Sequence, residues 1–290
     1  MFVLNCKNGT KRAQFRIFQP EGFERNPTFE PNFQSMDRNS ILGLAAALLV
    51  LLFLFLDQKD ENAAKPNTQN IDRQQFIAKY SSPLIDGKGE DEAWQHAEWL
   101  LLDQVWIGAP IASSDFIGRY KILWDENNLY VLAEITDDTL VDIHSDGLLK
   151  YWDDDCLEIF VDEDASDGNH QYNYNAFAYH IALDGKVVDI RTDSVPAYFN
   201  GHCTTRRITM ENTSIWEVAL NIFDGNKYEY GGENIPKMLK SGKKMGFALA
   251  YCDNDHSPER ESFIGSVRVD GDDKNRAWID AGIFGLLTLK

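Results

Sequence analysis

The chain has 290 residues, with 46 Asp and Glu against 28 Lys and Arg and a formal net charge of −18. That balance speaks against nucleic acid as a partner, because such binding rests on Lys and Arg neutralising phosphates. The four cysteines, Cys6, Cys156, Cys203 and Cys252, show no C-x-x-C spacing, so the usual pattern of a structural zinc site is missing.

Residues 1–40 hold six Lys and Arg, four Asp and Glu, and no hydrophobic period. Met36 opens MDRNS directly before an apolar run, and reads as the true initiator behind a mis-called start. The run, ILGLAAALLVLLFLFL at 41–56, is uncharged. As a helix it spans about 24 Å, a little less than a ~30 Å hydrocarbon core. Two readings stay open, a transmembrane signal anchor and a signal-peptide core. No A-x-A site follows, Ala63-Ala64 being the nearest pair, and no Cys follows for a lipid. The basic excess before the run and the acidic body behind it place the N-terminus in the cytoplasm. The C-terminal body is then extracytoplasmic, periplasmic or on the cell surface, or is secreted after cleavage. In that compartment Cys156, Cys203 and Cys252 offer one disulfide and one free thiol, or three small buried side chains.

Residues 57–79 are polar and read as a linker. From Tyr80 the texture turns to short strands: LYVLAEI (129–135), CLEIFVD (156–162), FAYHIAL (177–183), IWEVALNI (215–222), MGFALAYC (245–252) and FGLLTLK (284–290). DENN, DASDGN, LDGK, DGNK and SGKK separate them as turns. This predicts an all-β antiparallel sandwich over 80–290. One short helix is expected in EDEAWQHAEW, 90–99.

The unusual stretch is KYWDDDCLEIFVDED, 150–164, which wraps a short apolar strand in carboxylates. Alternation puts Cys156, Glu158 and Phe160 on one face and Leu157, Ile159 and Val161 on the other. Glu158 is the odd member, since an unpaired carboxylate on a half-apolar face is costly. A sugar, an Arg or a cross-strand ion pair would each account for it.

PLIDGKGEDEAW (83–94), YKILWDENNLYVLAEITDDTL (120–140), W-DDD-CLEIFVDED, IWEVALNI, GFALAYCDND and NRAWIDAGIFGLLTLK (275–290) follow one another in order. In that order and spacing the body 80–290 resembles carbohydrate-binding module family 9, the domain attached to some bacterial xylanases. The resemblance implies non-catalytic binding of a saccharide clamped between two Trp, in the service of carbohydrate breakdown. Trp152 matches the Trp before the D-x-x-E-I-F strand, and Trp278 the one before the C-terminal strand. Glu158, Asn275 and Arg260 match the polar partners of the sugar hydroxyls. Two positions depart: Ala178 stands where the family has a sugar-contacting Arg, and His180 where it has an Asn.

The resemblance also implies structural calcium near the acidic turn, Asp162, Asp164 and Asp167, and near Asp137 and Asp138. No organic cofactor is expected. With no hydrolase in the chain, the implied partners are a separate glycoside hydrolase or an envelope protein, with the N-terminal helix in the membrane. Rival readings are a scaffold that has lost its sugar, a glycosidase and a haem-binding domain. A glycosidase needs two carboxylates about 5–9.5 Å apart. Asp155 and Glu158 are offset by three residues onto opposite faces, and nothing singles out Glu217 or Asp253. A haem would draw on His180, His202, His256 or Met245.

Overall fold

Phe76 and Ala78 are buried while Gln75 and Ile77 are exposed, and this alternation makes Gln75–Tyr80 a strand (β1). The computed structural model describes residues 73–290. The run 41–56 lies outside them, and among the described residues no helix is long and apolar enough to cross a membrane. β1 begins inside the stretch read as linker. Its strand character comes from its neighbours: Gln75–Ala78 pair with the C-terminal strand, and Lys79 and Tyr80 with Leu123 and Trp124.

The remaining strands are Leu100–Leu102 (β2), Gln104–Ile107 (β3), Phe116–Trp124 (β4), Asn128–Asp137 (β5) and Cys156–Asp162 (β6). Then come Phe177–Ala182 (β7), Val187–Ile190 (β8), Pro196–Tyr198 (β9), Cys203–Met210 (β10) and Thr213–Asn221 (β11). Lys244–Asp253 (β12), Ser262–Gly265 (β13) and Gly285–Leu289 (β14) complete the set. The predicted helix is a single 3-10 turn, Glu92–His96, capped by Asp91.

One hydrogen-bonded path runs β10-β11-β5-β4-β1-β14-β12-β6-β7-β8-β9. It turns from one layer into the other at β1, which gives a sandwich-like all-β body. The pairing is antiparallel except at β1, which runs parallel to both β14 and β4. The core lies between the layers, where Phe76 meets Tyr120 and Phe247 edge-on and Phe116 lies against Tyr251.

A second, smaller cluster covers the outer face of β4, β5 and β11 with Trp94 and Ala93. Glu217 pins that cover. Its buried carboxylate accepts hydrogen bonds from Trp94 Nε1 at 2.7 Å and from the backbone N–H of Asp86 and Gly87.

Candidate functional site

Residues directly opposite on paired strands point the same way, so the register writes out the outer face of the first layer. One row across it is His180, Glu158, Ala250 and Gly265; the next is Ala182, Cys156, Cys252 and Phe263. Small side chains dominate these rows and leave room above the sheet. Gly265 is required to be small, because a Cβ there would strike the Trp106 indole packed on it.

Loops close over this floor. The turn before β6 brings Tyr151 and Trp152, the β12–β13 loop brings Arg260, and the β13–β14 loop brings Asn275 and Trp278. The result is a pocket of about 380 Å³, within the range of small-molecule sites. All five sugar-site positions expected from sequence, Trp152, Glu158, Arg260, Asn275 and Trp278, line it. Trp152 is 39% exposed and Trp278 is half-buried.

At the floor, His180 Nε2 donates to Glu158 Oε1 at 3.0 Å, and the two are register partners on β6 and β7. The cross-strand pair weighed for Glu158 is therefore present, and both residues still line the pocket. Burial works to lower the His180 imidazole, but the charge and hydrogen bond of Glu158 outweigh it and the net shift is upward. Arg260 donates to Cys252 Sγ at 3.1 Å and to Asn275 Oδ1 at 3.3 Å, and its guanidinium lies 4.1 Å from the Phe263 ring centroid.

Sequence reasoning missed Asp189 and Tyr172, which also line the pocket. Asp189, on β8, accepts from the N–H of Ala178 and Ile190, and burial pushes its carboxyl up to about 7. A lone acid in VVDI was the available signal. Tyr172 stands exposed at the rim with φ 57°, a left-handed conformation uncommon for a bulky residue. No sequence pattern marks it.

The acids flanking the strand in the stretch 150–164 brace the surrounding loops. Asp153 accepts from the Arg260 N–H, Asp154 from the N–H of Ile143 and His144, and Asp155 from the N–H of Val141 and Asn254. Glu163 pairs with Lys237 and Lys243.

The expected calcium ligands divide. Asp137 joins Asp155 and Asp253 in a buried trio, and Asp138 joins Asp115 and Asp255 in a more exposed one. Asp162, Asp164 and Asp167 belong to neither. They lie at and just beyond the far end of β6, about 20 Å of strand away from Asp155. Their turn is satisfied internally: Asp162 accepts from the N–H of Asp164 and Asp167, and Asp167 pairs with Arg73 at 2.6 Å. In the buried trio, Asp253 Oδ1 has no hydrogen-bond partner. Burial first, with repulsion from neighbouring carboxylates added, pushes Asp155 up to about 9, Asp253 to about 8 and Asp137 to about 6.

The rival chemistries fit poorly. Asp155 and Glu158 serve different sites, and Glu217 is consumed by its three hydrogen bonds. For haem, both ring nitrogens of His202 meet tyrosine hydroxyls and both of His180 are engaged. Met245 is wholly buried in the core, and His256 sits in an exposed loop turn.

Residues 85–290 match the family model described as carbohydrate family 9 binding domain-like. The chain is 31% identical over 232 residues to endo-1,4-beta-xylanase C of Paenibacillus barcinonensis, covering 80% of this chain and 18% of that protein. It is 30% identical over 172 residues to endo-1,4-beta-xylanase A of Thermotoga maritima, covering 56% of this chain and 15% of that one. It thus spans less than a fifth of the length of either relative. Among solved structures, a carbohydrate binding module family 9 from Caldicellulosiruptor kristjanssonii, determined with glucose and with cellotriose, matches with a TM-score of 0.55 at 23% identity. The glucose complex covers 75% of this chain and 96% of its own, a likeness of fold.

Proposed function

Because the chain belongs to the carbohydrate family 9 binding domain-like family, we propose that its body holds a saccharide, without cleaving it, in the pocket bordered by Trp152 and Trp278. The observation that carries this is the convergence of two indoles and three hydrogen-bonding side chains on one pocket. A pyranose has an apolar C–H face and a rim of hydroxyls. Flat aromatic rings cover the first, and planar polar groups such as Glu158, Asn275 and Arg260 meet the second. In this reading the two indoles clamp one ring, and the hydrogen bond from His180 aims Glu158.

The relatives are xylanases, which supports oligosaccharides of the xylan and cellulose type as ligands. The proposed setting is an extracytoplasmic body tethered or exported by the segment 41–56, serving a separate glycoside hydrolase or an envelope protein in carbohydrate breakdown.

Calcium is the proposed brace for the loops. Asp137, Asp155 and Asp253 fit a hard cation by their oxygen donors, their closeness and the unpartnered Asp253 oxygen. Bound there, the ion would supply charge to hold the β5, β6 and β12 ends together, with no part in chemistry.

A calorimetric titration with xylose, glucose, cellobiose and xylo-oligosaccharides tests the reading. Saturable binding in the micromolar to millimolar range, lost in Trp152→Ala and Trp278→Ala, is expected. Silence across the panel from folded protein would favour a scaffold that has given up its sugar.

A further inference from the structure

Beneath the pocket, Cys156 and Cys252 stand directly opposite one another on the antiparallel strands β6 and β12. Directly opposite residues have Cα atoms about 4.5–5.5 Å apart and side chains on one face, inside the window a disulfide needs. Both are free thiols and both are buried. Cys252 is also gripped from the pocket side: Arg260 Nη1 donates to its sulfur at 3.1 Å, and Glu158 Oε2 lies 3.9 Å from it. The third described thiol, Cys203, is on β10 at the end of the other layer's strand path, where it pairs with Leu220.

We propose that Cys156 and Cys252 form a reversible cross-strand disulfide that sets the hydrogen-bonding state of Arg260 in the pocket above. The oxidant is a small or protein disulfide, R–S–S–R. The Cys252 thiolate attacks one sulfur of it, a mixed disulfide forms, and R–S⁻ leaves and takes up a proton. The Cys156 sulfur, giving up its proton, then attacks the Cys252 sulfur and expels the second R–SH. Two thiols lose two electrons and two protons, and one R–S–S–R gains them as two R–SH.

The surroundings suit this order of events. Arg260 sets a cation against the Cys252 sulfur from the pocket side, and Cys156 stands opposite it on the neighbouring strand. Cys252 is therefore the attacking sulfur and Cys156 the resolving one. Once the bridge forms, the Cys252 sulfur is a poorer acceptor, so Arg260 Nη1 turns from it to a ligand oxygen. This last consequence rests on the sugar-binding reading; the disulfide itself does not.

The test equilibrates the full chain in glutathione buffers from fully reduced to fully oxidised. Thiols are then blocked under denaturing conditions, and the peptides are mapped by mass. The expected result is a Cys156–Cys252 crosslink that rises with oxidation and reverses with dithiothreitol. Persistence of both as blockable thiols under oxidised glutathione, during refolding as well as in the native state, would overturn it. So would a crosslink to Cys203 or Cys6 in its place. The Cys203→Ser chain retains the crosslink, and Cys156→Ser loses it. Cellotriose titration of the two redox forms reads the second step: about tenfold tighter binding by the oxidised form is expected. Equal affinities would sever the disulfide from the pocket. Absence of binding in both forms would overturn the link to a sugar while the crosslink still stands or falls by mass.

Discussion

Glu158 and His180 face each other across β6 and β7 with Oε1 and Nε2 3.0 Å apart, and both are buried at the floor of the pocket. Each depends on the other. His180→Ala leaves a carboxylate stranded in an apolar sheet and is expected to cost about 3–5 kcal/mol. The double variant Glu158→Gln/His180→Asn removes the charges together and should cost much less. The His180 pKa is raised in the fold, so the pair's contribution is complete below the ordinary value of 6.5 and is lost as pH rises through the raised value. Thermal melts of wild type and double variant from pH 6 to 9 should therefore converge toward alkaline pH.

Trp152 is 39% exposed and holds up little of the core. Trp152→Ala should weaken binding of cellotriose at least about tenfold, the scale of one lost aromatic stack, while shifting the thermal midpoint by only a degree or two. Trp278→Ala should do the same to binding with a larger cost in stability, because that ring is half-buried. Calorimetry and melts on the two variants check both statements.

The buried trio gives a pH signature of the same sign as the His180 pair. Asp137, Asp155 and Asp253 have folded values of about 6, 9 and 8 against an ordinary 3.8. Without a cation the fold binds more protons than the unfolded chain, so these groups make stability fall as pH rises from about 4 to about 9. Calcium bound at the proposed site would keep the carboxylates ionised in the fold, so adding it should flatten that decline and raise the midpoint at pH 8. Asp253→Asn should stabilise the chain in chelator and abolish the calcium response. A chelator-insensitive melt at pH 8 would count against the cation.

His202 provides the acid-side limit. Its ring nitrogens lie 2.8 Å from the hydroxyls of Tyr179 and Tyr228, and burial lowers its pKa from 6.5 to about 4. The unfolded chain takes up the proton first, so stability declines as pH falls from about 6.5 to about 4, by roughly 3 kcal/mol in all. His202→Gln should lose stability at neutral pH and show a shallower decline over that window in urea titrations.

Strands buried on one or both faces were plain in the sequence: LYVLAEI, CLEIFVD and MGFALAYC are β5, β6 and β12 to within a residue or two. CTTRRITM was not, because β10 is half-exposed along its length and held by its neighbour β11. β1 was hidden in a polar stretch because its partners are the last strand and β4, a relation no local pattern encodes. At the pocket, Trp152, Glu158, Arg260, Asn275 and Trp278 were reached only through the family resemblance that the ordered motifs carry. Asp189 and Tyr172 were not, nor were the partners Asp155 and Asp253, or Cys156 and Cys252. Each of these meetings is set by strand register or loop closure between distant segments. In the acidic turn 162–167, where the resemblance implies calcium, the carboxylates of Asp162 and Asp164 accept from backbone N–H groups of the same turn.

The measurement that bears most directly on the account is a crystal structure of the chain saturated with cellotriose. One sugar ring is expected in the pocket, its C–H faces against Trp152 and Trp278 and its hydroxyls within hydrogen-bond reach of Glu158, Asn275 and Arg260. A pocket without sugar at saturating ligand, or a saccharide seated elsewhere on the body, would contradict it.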